Sequence, residues 1–108
     1  MKRGDVVVGA AAGDYGKPRP WLVVQSEIVP PGFPSVTLCP LTTDLTPARI
    51  FRIRIAPGSQ AGLRITSDVM IDKIQTLPRS RIRSRIGHLE DATLRAVDTA
   101  LRVWLGLT

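Results

Sequence analysis

Residues 17–24, with the sequence Lys-Pro-Arg-Pro-Trp-Leu-Val-Val, restrict the backbone more than any other stretch of this chain. Each proline fixes its own φ and favours extended geometry in the residue before it, so Arg19 has little backbone freedom. The apolar run that follows is too short for a helix and ends in β-branched residues, which predicts a buried strand at Trp21–Gln25. The guanidinium at the mouth of this strand is either a plain surface charge or part of a phosphate site.

Glycine and proline, nine of each, divide the rest of the chain into short apolar segments. Pro40 predicts that its end of one such segment lies at a sheet edge or a bulge. In another segment apolar residues alternate with Arg52 and Arg54, which places both arginines on the face opposite the core. Alternating arginines within Pro78–Arg85 fit either a strand or a helical turn. The further predicted strands are Val6–Val8, Ser35–Leu41, Phe51–Ile55 and Ser67–Ile71.

The C-terminal residues have the spacing of an amphipathic helix of about four turns. Glu90 and Asp91 suit the start of this helix, where negative charge is favoured, and Gly106 suits its end. Two i,i+4 ion pairs are expected along it, Asp91–Arg95 and Asp98–Arg102. Its apolar face is expected to contain Leu94, Val97, Leu101 and Trp104. Short strands, turn-rich connections and one terminal helix predict a single domain over residues 1–108, built on a small, strongly bent antiparallel sheet or barrel.

The balance of charge favours a polyanionic partner, because 15 Lys and Arg residues outnumber 9 Asp and Glu residues and give a formal net charge of +6. A basic protein without such a partner is the alternative. A single cysteine, Cys39, excludes an internal disulfide and fits a reducing cytoplasm. The N-terminus is expected to belong to the mature protein, since Asp5 and Gly9 interrupt its apolar part. No apolar stretch approaches the roughly 20 residues that cross a bilayer, so no membrane partner is expected.

Five pieces of sequence, in order along nearly the whole chain, resemble the MazF/PemK-type toxins, which are small bacterial endoribonucleases of toxin–antitoxin pairs. The pieces are Arg3-Gly4-Asp5, Arg19-Pro20, Leu41-Thr42-Thr43, Ser67–Leu77 and Ile86-Gly87-His88-Leu89. The resemblance implies a mainly β fold, a small SH3-like antiparallel barrel of the CcdB/MazF type with a C-terminal amphipathic helix. It also implies a homodimer, a single-stranded RNA substrate and inhibition by a MazE-like antitoxin with an acidic tail.

The residues suit RNA cleavage in which the 2′-OH of the substrate attacks the neighbouring phosphorus, because this route needs no protein nucleophile. One histidine and no cluster of acidic residues, His and Cys at ligand spacing make a metal site unexpected, and no cofactor is implied. Arg19 is the candidate for stabilising charge on the phosphoryl oxygens, and Thr42 for donating a hydroxyl hydrogen bond. Asp72 is a third catalytic candidate, as a general base, as a partner that holds Arg19, or in an ion pair with another arginine.

The candidates for binding RNA come from charge and from the resemblance. Basic side chains attract phosphates, and Tyr15 and Phe33 offer rings on which bases stack. Met70 stands where some members of the family use a polar residue for RNA contact, and the arginines of residues 79–85 serve RNA, a partner protein or solvent equally well. His88 is expected to be structural. The full set of RNA-binding candidates is Tyr15, Lys17, Thr43, Arg52, Arg54, Ser67, Met70 and Gln75.

Two other functions remain open for such a chain. One is a gyrase-directed toxin of the CcdB type, and the other is a non-catalytic SH3-like module that binds RNA or protein. A ribonuclease needs Arg19 and Thr42 to meet around one phosphodiester, whereas neither alternative does.

Overall fold

The computed structural model describes residues 1–14, 17–45, 51–58 and 60–107. Within this part the chain forms seven antiparallel strands followed by one helix. The strands are β1 (Asp5–Gly9), β2 (Arg19–Val23), β3 (Ser35–Thr42), β4 (Arg52–Ile55), β5 (Ser67–Met70), β6 (Gln75–Pro78) and β7 (Ile82–His88), and the helix is α1 (Asp91–Leu105). Short 3₁₀ turns occupy Ala12–Asp14, Ile71–Lys73 and Arg79–Arg81. The predicted mainly β fold with a C-terminal helix is confirmed.

The strands lie in the order β4-β5-β3-β2-β1-β7, and β6 pairs with β3 beside this path. Strand β3 changes partners along its length, since residues 35–38 pair with β6 and residues 41 and 42 pair with β5. Pro40 lies between these two pairings, so on that side of β3 it belongs to neither ladder. The prediction of an edge or bulge at Pro40 is therefore replaced by a change of partner within a central strand. Among the described strands, β4 and β7 remain the two ends of the sheet, so the barrel is not closed.

The two faces of the sheet contribute to separate apolar clusters. On one face, side chains from β1, β2, β3 and β5 pack with Val97, Ala100 and Leu101 of α1. The other face carries a smaller cluster: Val7, Trp21, Val23, Val36, Leu38 and Leu77. Because side chains alternate between faces, this arrangement directs Thr42, Asp68, Arg52 and Arg54 to the face that α1 does not cover.

Helix α1 begins and ends where the sequence predicts. Glu90 is the N-cap residue, and Gly106 ends the helix in the left-handed conformation with φ of 71°. Asp98 forms an ion pair with Arg3, with 2.6 Å between Oδ1 and Nη2. The partner predicted from the sequence was Arg102. Trp104 packs edge-on against Phe51, with 5.0 Å between ring centroids. The helix is thus joined to both the N-terminus and the start of β4.

Strands β1, β3, β4 and β5 agree with the prediction to within one residue at each end, whereas β2 and the arginine-rich residues differ more. Strand β2 begins at Arg19 and ends at Val23, two residues earlier than expected, because Arg19 already pairs with Gly9 of β1. The arginine-rich residues form neither one strand nor one helical turn. Arg79 and Arg81 belong to a 3₁₀ turn, whereas Arg83 and Arg85 belong to β7.

The loop before β5 packs closely on β7 at two glycines. Gly62 has φ of 73°, and a Cβ there would overlap the carbonyl oxygen of Ile86. A Cβ at Gly87 would overlap the backbone of Ala61. Both positions therefore require glycine, and the contact covers part of the edge of β7.

Candidate active site

Arg19 and Thr42 line the same cavity, which has a volume of about 230 Å³. Arg19 is the first residue of β2 and Thr42 the last residue of β3. The remaining lining residues are Lys17, Pro18, Pro20, Leu41, Thr43 and Ser67. Four of the sequence candidates other than Arg19 therefore meet Arg19 here: Lys17, Thr42, Thr43 and Ser67.

The cavity exists because two paired strands separate. The β2–β3 register ends at the pair Trp21 and Pro40, and beyond it β3 pairs with β5. Arg19 lies two residues past Trp21, and Thr42 lies two residues past Pro40. Side chains two residues apart on a strand point to the same face, so the guanidinium and the hydroxyl emerge on one side of the gap between the strands.

The hydroxyl of Thr42 is oriented by the turn that follows it. Its Oγ1 accepts a hydrogen bond from the backbone N–H of Asp44 at 3.1 Å. Because a hydroxyl has one donor hydrogen and two acceptor positions, this bond occupies an acceptor position and leaves the hydrogen available for a bound group. The turn threonine and the hydrogen-bond donor are therefore compatible roles for one side chain.

Asp72 pairs with Arg52 and does not line the cavity. Arg52 donates from Nε to Oδ1 at 3.0 Å and from Nη2 to Oδ2 at 3.2 Å, and the two side chains are 13% and 29% exposed. Partial burial raises the pKa of Asp72, but the hydrogen bond and the charge of Arg52 outweigh it, so the pKa lies below its usual 3.8. Of the three roles considered from the sequence, this geometry corresponds to the ion pair with another arginine.

Arg54 forms a second fork with a residue that the sequence did not single out. It donates from Nε to Asp68 Oδ1 at 3.1 Å and from Nη2 to Oδ2 at 3.4 Å. The Asp68 side chain is only 2% exposed, whereas that of Arg54 is 54% exposed. The hydrogen bond and charge of Asp68 raise the pKa of Arg54. Finding this pair requires the register of β4 against β5, which no local sequence signal provides.

The other RNA-binding candidates among the described residues do not line the cavity. Met70 is 6% exposed and therefore presents little surface to a ligand. Gln75 is exposed on β6, opposite Leu38. Phe33 is half exposed, and its carbonyl oxygen accepts a 2.8 Å bond from Arg79 Nε. Tyr15 lies outside the described residues.

His88 belongs to a separate cluster around the buried carboxylate of Asp5. Asp5 Oδ1 lies 2.9 Å from His88 Nδ1 and 3.0 Å from Arg85 Nε, and Oδ2 accepts the N–H of Lys2 at 2.7 Å. Burial raises the pKa of Asp5, but the hydrogen bonds with Lys2, His88 and Arg85 together lower it by more. The pKa of Asp5 therefore lies below its usual value. This cluster joins the N-terminus to β7, which fits the structural role predicted for His88.

None of the groups of His, Cys, Asp and Glu in the described part of the chain is arranged to hold a metal ion. Across residues 1–14, 17–45, 51–58 and 60–107, no helix has the length and apolar character to cross a membrane.

A family model described as "PemK-like, MazF-like toxin of type II toxin-antitoxin system" matches residues 2–105. The chain is 44% identical over 108 residues to a probable endoribonuclease MazF of Mycolicibacterium smegmatis, covering 99% of this chain and 98% of that protein. It is 29% identical over 114 residues to the endoribonuclease EndoA of Bacillus subtilis, covering 99% of this chain and 96% of that protein.

Solved structures of similar proteins share the fold. The Mycobacterium tuberculosis toxin MazF-mt6 superposes with a TM-score of 0.82 at 25% identity, covering 96% of this chain and 98% of that one. A mycobacterial endoribonuclease in complex with its cognate antitoxin superposes with a TM-score of 0.83 at 25% identity, covering 100% of this chain and 97% of that one.

Proposed function

This chain belongs to the PemK-like, MazF-like toxins of type II toxin–antitoxin systems, and from that premise we propose that it is an endoribonuclease that cleaves single-stranded RNA without a metal ion. Relatives named as endoribonucleases, one of them 44% identical over nearly the whole chain, support the activity. The observation that carries the assignment to particular residues is the shared cavity of Arg19 and Thr42.

The reaction begins with the 2′-OH of the nucleotide on the 5′ side of the bond. Its oxygen forms a bond to phosphorus while the bond from phosphorus to the 5′-oxygen of the next nucleotide breaks. One proton leaves the 2′-oxygen and one is delivered to the departing 5′-oxygen, so the products carry a 2′,3′-cyclic phosphate and a 5′-OH. DNA lacks the 2′-OH and is therefore not a substrate.

Arg19 and Thr42 stabilise the charge that develops during this reaction. The guanidinium of Arg19 offers a fork of donors whose geometry matches two phosphoryl oxygens. The hydroxyl of Thr42 donates its hydrogen to a phosphoryl oxygen, since the N–H of Asp44 occupies only one of the acceptor positions of Oγ1. Donors fixed in advance are worth more than mobile ones, because they need no reorganisation during the reaction.

Three further residues line the cavity: Lys17, Thr43 and Ser67. The hydroxyl of Ser67 donates its single hydrogen to the carbonyl oxygen of Ile65 at 3.1 Å, so Ser67 shapes the cavity and does not donate to phosphate. Lys17, which adds a positive charge, and Thr43 bind the phosphates of the substrate. Phosphate contacts of this kind position RNA without reading its sequence.

Asp72 acts through the stability of the fold and not as the general base. A base works best when its pKa lies near the working pH, and the pKa of Asp72 is lowered from 3.8 by Arg52. Its carboxylate oxygens are also both occupied by Arg52 donors.

An acidic antitoxin inhibits the enzyme, and the active form is a homodimer in the cytoplasm. The antitoxin proposal is supported by the structure of a similar mycobacterial endoribonuclease bound to its cognate antitoxin. The net charge of +6 makes an acidic inhibitor favourable, because neutralising a basic groove blocks RNA by the same electrostatics that attract it.

The test is to incubate the purified protein with a long messenger RNA in the presence of a chelator and to map the ends of the fragments. Discrete fragments with 5′-OH and 2′,3′-cyclic phosphate ends are expected, and the Arg19→Ala variant should produce almost none. Intact RNA after prolonged incubation with folded wild-type protein would overturn the proposal. Damage that requires gyrase would instead identify a toxin of the CcdB type.

A further inference from the structure

Thr42, Asp68 and Arg54 form a row across three neighbouring strands. Thr42 of β3 is the register partner of Asp68 of β5, and Asp68 is the register partner of Arg54 of β4. Directly opposite residues in antiparallel strands project from the same face, so all three side chains belong to the face that α1 leaves uncovered. The row begins at the cavity of the proposed active site and leads away from it.

Asp68 is too deeply buried to contact RNA itself. Its side chain is 2% exposed, and both of its carboxylate oxygens receive donors from Arg54. A buried carboxylate on a face that binds a polyanion is unfavourable in two ways, through its desolvation and through its repulsion of phosphate. The two hydrogen bonds from Arg54 offset the desolvation of Asp68. They also allow Asp68 to influence RNA binding through the position of Arg54.

Arg54 is held by Asp68 and still exposed to solvent. Its Nε and Nη2 donate to Asp68, while the side chain as a whole is 54% exposed. A guanidinium has five N–H donors, so those not used by Asp68 are available to a phosphate. Arg54 also borders a cavity of about 400 Å³, whose lining includes Glu90 and Thr93 at the start of α1.

We propose that Asp68 is a positioning residue that fixes the Arg54 guanidinium as a second phosphate-binding group, one step along the RNA from the bond that is cleaved. This inference rests on the proposed endoribonuclease function. Neighbouring strands lie about 4.8 Å apart, so the backbone of Arg54 is about 10 Å from that of Thr42. Because Asp68 lies between Thr42 and Arg54 in the row, we expect the phosphate that Arg54 binds to be a different one from that at Thr42.

The experiment measures binding of a fully 2′-O-methylated RNA, which lacks the attacking hydroxyl and stays intact, as a function of salt. Arg54→Gln is expected to weaken binding about 3- to 10-fold and to reduce the slope of log affinity against log salt by about 0.7, the value for one phosphate of a single strand. Arg95→Gln, which removes an exposed arginine from α1, is the control. It should leave the RNA affinity and its salt dependence unchanged.

The direction in which Asp68→Asn changes RNA affinity distinguishes a positioning role from a purely electrostatic one. If Asp68 acted only through its charge, removing it would tighten binding, because a negative charge leaves the face that meets RNA. A positioning role predicts the opposite, a weakening of about 3- to 10-fold, and predicts that Asp68→Asn adds no weakening once Arg54 is Gln. The double variant removes both charges together, so it leaves no unpaired buried charge. It therefore provides the test if one of the single variants does not fold.

Cleavage kinetics distinguish the positioning role of Asp68 from the endoribonuclease activity itself. With a cleavable RNA, Arg54→Gln and Asp68→Asn should raise KM by the same factor and leave kcat unchanged. If the wild-type protein cleaves RNA while the Arg54→Gln and double variants keep its KM and salt slope, the positioning role is wrong and the nuclease stands. If the wild-type protein neither binds nor cleaves RNA, both are wrong.

Discussion

Arg19 begins β2 and Thr42 ends β3, and the two side chains line one cavity where these strands separate. The separation follows from the change of partner in β3, which leaves β2 after Pro40 and pairs with β5. Both groups therefore stand on regular strands, and strands hold side chains more firmly than loops do.

Replacing Arg19 with Ala should reduce the rate of RNA cleavage by at least about 10²-fold, because the charge that stabilises the phosphoryl oxygens is lost. Arg19→Lys keeps the charge without the planar fork and should recover only part of the rate. Single-turnover cleavage of a mapped RNA measures both. Arg95→Ala, an exposed arginine of α1, is the matched control and should cleave at the wild-type rate. A folded Arg19→Ala protein with full activity would exclude Arg19 from the mechanism.

Replacing Thr42 with Ala should reduce cleavage by about 10²–10³-fold, the usual cost of losing one donor to a developing oxyanion. Thr42→Ser retains the hydroxyl and should remain within a few-fold of the wild type, which makes it the control for the loss of the methyl group. The same single-turnover assay applies, with circular dichroism to verify the fold. Equal losses in the Ala and Ser variants would show that the hydroxyl is not the essential part.

Asp72→Asn should lower the free energy of unfolding at pH 7 by about 1–2 kcal/mol, since it weakens a partly buried charged hydrogen bond to Arg52. The pKa of Asp72 is lowered in the folded state, so its contribution is complete above the unfolded value of 3.8 and is lost as the pH falls through the lower folded pKa. Urea titrations at pH 7 and at decreasing pH below 3.8 should therefore show the difference from wild type disappearing.

The same variant distinguishes the roles of Asp72 in cleavage. We expect Asp72→Asn to retain most of the rate at pH 7, and Asp91→Asn, at an exposed carboxylate, serves as the control. A large loss of rate at unchanged stability would instead identify Asp72 as the general base.

Gly62→Ala should destabilise the protein by at least about 2 kcal/mol, because Gly62 has positive φ and a Cβ there overlaps the Ile86 carbonyl oxygen. Gly13→Ala is the matched control, since a Cβ at Gly13 meets no atom within 4 Å. Thermal unfolding of the two variants should give a clearly lower Tm only for Gly62→Ala. A wild-type Tm for Gly62→Ala would mean that the loop before β5 does not need its contact with β7.

Cys39 should react with thiol reagents only when the protein unfolds. Burial raises the pKa of its thiol from 9.0 to about 12, which lowers the thiolate fraction at pH 8 by about 10³-fold, and the side chain is inaccessible as well. Labelling with a chromogenic disulfide at pH 8 should be slow in buffer and rapid in denaturant. Rapid labelling of the native protein would show that the sheet opens around β3.

The sequence was sufficient for elements with a strong local signal, and five of its candidate residues line the cavity: Lys17, Arg19, Thr42, Thr43 and Ser67. The spacing of Val97 and Leu101 predicted α1, and the two prolines around Arg19 predicted a fixed guanidinium. The partner of a charge could not be predicted in this way, because it depends on register between distant strands. Asp68 was missed for this reason, and Asp98 pairs with Arg3, 95 residues away, where a local rule suggested Arg102.

Pro40 has a consequence for how the cavity can move. Strand β3 belongs to two pairings that meet at this residue, so bending at that junction would carry Thr42 along with the β4–β5 hairpin and away from Arg19. A residue whose φ is locked by its own ring resists such bending. We therefore expect Pro40 to limit changes in the distance between the guanidinium of Arg19 and the hydroxyl of Thr42.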